Sequence, residues 1–138
     1  MTNGLNYLAL ARKAGLAELG EEPVGAAARK GKAYLIAVAG DASDHTWRRA
    51  KSYAAGTQQQ CIRLEATKDE MGFSVGRTSL AIAAITDPAM ALAMVKSLGQ
   101  LDKYKEALEV LTDKADRAKK RRSEAKAHQK NVRFGKKK

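Results

Sequence analysis

Catalysis needs side chains that attack, donate or accept in company, and this chain gathers few of them. It has two histidines, His45 and His128, and one cysteine, Cys61. His45 falls at the start of a predicted helix and His128 in a basic run, so no His/Cys pair has zinc-ligand spacing. Cys61 stands in the short apolar stretch QCIRL with no base beside it, which suits a small buried strand residue rather than a nucleophile. A single cysteine also excludes an intramolecular disulfide and fits a reducing cytosol. The segment Gly20-Glu21-Glu22-Pro23-Val24-Gly25-Ala26-Ala27 copies the glycine spacing of a phosphate-binding loop. Alanines, however, stand where that motif needs a lysine and a hydroxyl, and two glutamates occupy the place of the anion. The expectation is a chain with no cofactor, no metal and no enzymatic activity.

Positive charge is what the sequence has in quantity. Its 138 residues carry 26 Lys or Arg against 15 Asp or Glu, a net charge of +11. Residues 117–138 hold eleven of the cations against Glu124 alone, which leaves residues 1–116 with about one net positive charge. Lys119, Lys120, Arg121 and Arg122 form the densest run. A cationic arm on a nearly neutral body fits a polyanionic partner, RNA foremost. No apolar run approaches the roughly 18 residues of a membrane span. The first residues lack a basic leader followed by a long apolar stretch, so the expected location is cytoplasmic.

The elements that must position these groups are legible from capping signals and apolar runs. Leu5, Leu8 and Ala9 begin a first helix that ends at Gly15, and Leu16–Leu19 is a brief edge strand. Gly20–Lys30 reads as a second helix with Val24, Ala27 and Ala28 inward; Pro23 is tolerated in a first turn that has no use for its N–H. Residues 33–40 form a continuous apolar run, as a strand covered on both faces should. A third helix starts at Ser43 and packs Trp47, Ala50 and Ala54 inward; at that spacing Trp47 is a packing residue rather than a base-stacking one. QCIRL is a short strand, Thr67 with Glu70 is a capping box, and LAIAAI at 80–85 is a second buried strand. Asp87-Pro88 opens a fifth helix that lasts to Gly99. This alternation predicts a three-layer α/β/α sandwich around a central mixed sheet, complete within residues 1–99. With only 5% aromatic residues, its core must rest on Ala, Val, Ile and Leu. Residues 100–138 follow as a sixth, amphipathic helix with Leu101, Tyr104, Leu108 and Leu111 on a stripe that must dock on the domain or on a partner, then a basic tail whose last dozen residues are expected to be disordered.

The order of these elements and four of their segments resemble the large-subunit ribosomal kink-turn-binding superfamily, in particular its bacterial YlxQ-type branch. The segments are LALARKAGLAELGEE at 8–22, AARKGKAYLIAVAGDAS at 27–43, TKDEMGFSVG at 67–76 and SLAIAAITDPAMA at 79–91. The resemblance implies the same sandwich and RNA binding without catalysis. It places RNA contacts at the start of the second helix, on Gly20, Glu21, Glu22, Pro23 and Ala26, and in the loop before the last strand, on Gly76, Arg77, Thr78 and Ser79. Kink-turn binders of this family carry Asn-Glu and, further on, Lys in the first region. Here those positions read Glu22, Pro23 and Ala26, so that lysine's phosphate contact is absent.

Two functional readings follow. In the preferred one the protein is a ribosome- or ribosomal-RNA-associated RNA binder. Its body reads RNA shape through residues 20–32, including Arg29, Lys30 and Lys32, and through 76–79, while Lys119–Arg122 grip the backbone. In the alternative, the Leu101/Tyr104/Leu108/Leu111 stripe docks another protein and the tail only localises the chain. Gly72 and Gly76 are expected to let a short helix lie close to the sheet. Glu21 and Glu22 could equally serve as dipole-stabilising acids in a first turn.

Overall fold

The computed structural model describes residues 4–135, with side chains described as far as Ala125. In chain order its elements are α1 (Leu5–Lys13), β1 (Ala17–Leu19), α2 (Glu21–Arg29), β2 (Leu35–Val38) and α3 (Asp44–Ala54). There follow β3 (Gln60–Arg63), α4 (Lys68–Ser74), β4 (Ile82–Ile85), α5 (Pro88–Ser97) and α6 (Lys105–Gly135). The strands make one sheet in the order β1-β4-β2-β3. β2 and β3 run parallel, and β4 is antiparallel to both of its neighbours. α2 and α3 pack together on one face, and α1, α4, α5 and α6 form the group on the other. The expected mixed-sheet α/β/α sandwich is thus the observed architecture.

Local signals account for most boundaries. Ser43 Oγ accepts from the Thr46 N–H, Thr67 and Glu70 exchange both bonds of a capping box, and Asp87 accepts from the Met90 N–H with Pro88 next in line. β2 and β4 are buried at every position, as their unbroken apolar runs require. β1 lies at the sheet edge with Glu18 exposed. Leu35, Ile36, Val38, Ile82 and Ile85 are each at most 1% exposed, and burial of such side chains stabilises by about 1.5–3 kcal/mol apiece.

The direction of β4 follows from the shortness of α4. The Leu80 N–H donates to Lys68 O at 3.0 Å, so the segment that leaves α4 returns to the point where α4 began. β4 therefore starts at the sheet end where β3 stopped and must run back against it. We call this the upper end: Leu19, Val38 and Arg63 close their strands there, and Ile82 opens β4. The lower end holds Ala17, Leu35, Gln60 and Ile85.

Two expectations need correction. The core does not stop at Gly99: Tyr104, Ala107 and Leu111 are buried in the same cluster, and the Tyr104 hydroxyl donates to Arg63 O at 3.0 Å. Three of the four residues proposed for a partner-docking stripe, Tyr104, Leu108 and Leu111, thus pack on the chain's own domain, and Leu101 alone is exposed, at 61%. α6 also runs to Gly135, through much of the stretch expected to lack structure; its Lys, Arg, Ala and Gln residues are strong helix formers. Lys136, Lys137 and Lys138 lie outside the described residues.

Candidate nucleic-acid interface

The upper end brings together the two segments singled out by sequence. The Gly20 N–H donates to Ile82 O at 3.0 Å, which ties the start of α2 to the start of β4. Residues 76–79 lead into β4 at this same end, and all four are exposed. Their backbone is held from behind. The Arg77 N–H donates to Gly72 O at 2.8 Å, and a Cβ on Gly72 would lie 2.6 Å from the Ser79 nitrogen and 2.9 Å from Arg77 O. The close approach that Gly72 permits is to this loop rather than to the sheet, a correction to the sequence reading. Gly76 adds the reversal, with φ of +75°. A fixed backbone with free side chains is what a recognition loop needs.

At the start of α2 the two acids part company. Glu21 is half-buried and accepts from the Thr46 hydroxyl at 3.4 Å. It also faces Arg49, whose pKa is raised chiefly by its hydrogen bond to the Tyr53 hydroxyl and further by Glu21. Glu21 therefore serves the α2–α3 contact, and Glu22 is the exposed carboxylate. Pro23 and Ala26 turn the other way, into a cleft of about 290 Å³ shared with Glu18, Lys30, Lys32 and Thr86.

The remaining predicted residues are elsewhere. α2 is nine residues long, about 13 Å, so Arg29 and Lys30 stand at the lower end, with Lys32 just before β2. Arg12 and Lys13 also finish α1 there: Leu16 follows, donating its N–H to Ala11 O and accepting from Thr86 beyond the end of β4. α6 starts beside Arg63 and descends to the lower end, where Lys114 shares a groove with Arg29 and Gly31. Lys119, Lys120, Arg121 and Arg122 are exposed one to two turns further on. The Arg29 guanidinium nevertheless reaches back along α2, 3.4 Å from a Cβ built on Gly25, and lines a cleft of about 310 Å³ with Glu21, Glu22, Arg49 and Tyr53. It belongs to both ends, while Lys30 and Lys32 stand apart from the α2 start.

The ends differ in charge. Glu21, Glu22, Asp44, Asp69 and Glu70 occupy the first turns of α2, α3 and α4 at the upper end, and Asp41 accepts from the Lys68 N–H at 2.7 Å between them. Last-turn cations of α1, α2 and α3 gather below, Arg12, Lys13, Arg29 and Lys51, while Lys96 of α5 stands at the upper end. Trp47 packs against the core with Lys51 at 5.4 Å and Arg63 at 5.6 Å from its ring centre. The Cys61 thiol, partly buried in β3, has its pKa pushed up to about 12 by desolvation, which makes it a poor nucleophile. No group of three metal-ligating side chains comes together among the described residues. No helix described is long and apolar enough to cross a membrane.

Sequence reasoning missed Gln59, a polar side chain only 8% exposed. Its Oε1 accepts from the Ala33 N–H at 2.9 Å and its Nε2 donates to Ala28 O at 3.2 Å, fastening the end of α2 to the turn before β3. Nothing in Gln58-Gln59-Gln60 marks the middle residue as the buried one.

The fold has known counterparts. A Bacillus halodurans protein of unknown function superposes with a TM-score of 0.67 at 20% identity, over 72% of this chain and 100% of that one. A Giardia lamblia protein described as a 15.5 kDa RNA-binding protein superposes with a TM-score of 0.59 at 16% identity, over 72% of this chain and 85% of its own. At such identities the likeness is one of fold. No protein-family model matches the chain, and neither does any curated protein.

Proposed function

We propose that this chain is a non-catalytic, cytoplasmic RNA-binding protein that recognises structured RNA, of kink-turn-like or ribosomal type, at the upper end of its sheet. It is read as a YlxQ-type relative of the ribosomal kink-turn-binding proteins, with a body that the start of α6 completes and a basic extension along the rest of α6. The observation that carries the proposal is the convergence of the Gly20–Glu22 helix start and the Gly72-braced loop 76–79 on one edge. The shared fold of a protein described as RNA-binding supports it.

Each part has a chemical task. The free N–H groups at the start of α2 can donate to base edges or a phosphate, and the Glu22 carboxylate can accept from a guanine amino group. Arg77 is free to reach phosphate or a base edge. The surrounding acids repel phosphate, so this edge discriminates more than it attracts, and affinity must come from cations elsewhere. Fluorescence anisotropy with a kink-turn RNA and a plain duplex of equal length tests the assignment. The full chain should prefer the former, and Arg77→Ala, an exposed change, should weaken that binding by about tenfold or more, the loss of one charged hydrogen bond. Equal affinity for both RNAs would refute recognition by this edge.

A further inference from the structure

The groove at the lower end has the chemistry of a second nucleic-acid contact. It is about 360 Å³ and is bounded by Arg29 and Gly31 at the end of α2, Tyr34 before β2, Thr57 and Gln58 in the turn before β3, and Lys114 on α6. That volume lies at the small end of ligand sites and suits a single nucleotide rather than a helix. Arg29 is exposed, with Glu21 and Glu22 across the neighbouring cleft, and Tyr34 and Lys114 are partly buried, so two cations flank a phenol ring that is not fully covered. The walls are fixed. Gln59 bonds Ala33 and Ala28, and the Gly31 and Lys32 N–H groups donate to Ala28 O and Ala27 O. Those donors also blunt the negative end of α2, which would otherwise repel an anion here. The acids nearby on α6 are answered in kind: Asp113 pairs with Arg117 at 3.1 Å, and Asp116 is followed by five cations between 117 and 122.

The geometry points to this groove as the site for a single-stranded RNA segment, with Arg29 and Lys114 on its phosphates and a base against Tyr34. Lys30 and Lys32 beside α2, and Lys119–Arg122 further along α6, extend the phosphate track on either side. The assignment rests on the RNA-binding reading of the chain but not on the upper edge. One RNA would bridge both: a structured part at the acidic end, where helix starts read bases, and an unpaired flank about 13 Å below, where cations hold the strand.

Three probes separate the two ends in the full chain: a blunt kink-turn RNA, the same RNA with a single-stranded uridine extension, and oligo-uridine alone. The extension should tighten binding, and oligo-uridine should bind by itself. The double change Arg29→Ala/Lys114→Ala removes two phosphate contacts. It should lower the log–log salt slope on oligo-uridine by about 1.4 and weaken the blunt RNA less than the extended one. Tyr34→Leu should weaken oligo-uridine roughly tenfold through lost stacking. If oligo-uridine fails to bind, or binds the double variant with the wild-type slope, the groove assignment is wrong, whatever the blunt RNA does. If oligo-uridine responds as stated while wild-type protein ignores the blunt RNA, the upper edge falls and the groove stands. Both residues of the double variant lie at the surface, and a wild-type melting temperature confirms that the fold is intact.

Discussion

Replacing Gly72 with alanine would set a methyl carbon 2.6 Å from the Ser79 nitrogen, 2.7 Å from its Cα and 2.9 Å from Arg77 O. All three are backbone atoms, so no side chain can swing aside. Either α4 and the loop separate, losing the 2.8 Å bond from the Arg77 N–H to Gly72 O, or the helix distorts. Overpacking of this kind costs about 1–3 kcal/mol, and alanine's better helix propensity returns up to about 1 kcal/mol. A net loss of about 1–2 kcal/mol should lower the melting temperature by roughly 3–8 °C in circular dichroism. The Arg77 amide should also exchange hydrogen faster. Gly76 provides the contrast. It has φ of +75° and nothing within 4 Å of a built Cβ, so its penalty is conformational and should not grow with side-chain size. At Gly72 valine should be worse than alanine. A Gly72→Ala protein that melts at the wild-type temperature, with the Arg77 amide still protected, would show that the loop is not braced by this contact.

Gln59→Leu should destabilise by about 2–3 kcal/mol in urea titration, because the buried Ala33 N–H loses its acceptor and Ala28 O a donor. Tyr104→Phe removes only the hydroxyl bond to Arg63 O and should cost about 1 kcal/mol by the same measurement. The Cys61 thiol, its pKa raised from the ordinary 9.0 to about 12, keeps its proton in the folded state while the unfolded chain ionises. Stability should therefore be intact below pH 9 and fall as pH rises from 9 toward 12, and a Cys61→Ala variant should lack this component; parallel pH profiles would count against it. Alkylation of Cys61 in the folded protein should be slow and should speed up sharply on unfolding.

The sequence shows most clearly where structure depends on neighbours in the chain. Ser43, Thr67 with Glu70, and Asp87-Pro88 announce their helices because a cap is a contact of two to three residues. The unbroken apolar runs of β2 and β4 announce burial on both faces. What depends on distant pairing stays hidden. The Gly72/Gly76 pair does not say that Gly72 answers a close approach, to the loop rather than the sheet, while Gly76 answers a φ of +75°. The α6 stripe shows an apolar face without saying whose surface covers it. Arg29 is nine positions from Gly20, yet α2 carries its backbone to the lower end of the sheet while its guanidinium reaches back along the helix.

That last separation changes the meaning of the net charge. Residues 1–116 sum to about one positive charge, which suggests a body with little electrostatic character. The wiring of the fold makes that figure a cancellation. α2, α3 and α4 all start at the upper end, so acids that favour helix starts collect there. α1, α2 and α3 finish at the lower end, so last-turn cations collect there. α5 runs the opposite way, with Asp87 at its N-cap below and Lys96 in its last turn above, so it offsets part of the pattern. The first-turn acids and the last-turn cations of α1 to α4 thus lie toward opposite ends, the cations on the side to which α6 descends, although Arg63, Lys68, Arg77 and Lys96 temper the acids above. If the chain binds RNA as proposed, phosphates are drawn to the cations below, and the acidic edge favours a partner with hydrogen-bond donors to offer. For that reason a charge change at Arg29 or Lys114 should move the salt slope, while a change at Glu22 should move the preference between RNAs and leave the slope alone.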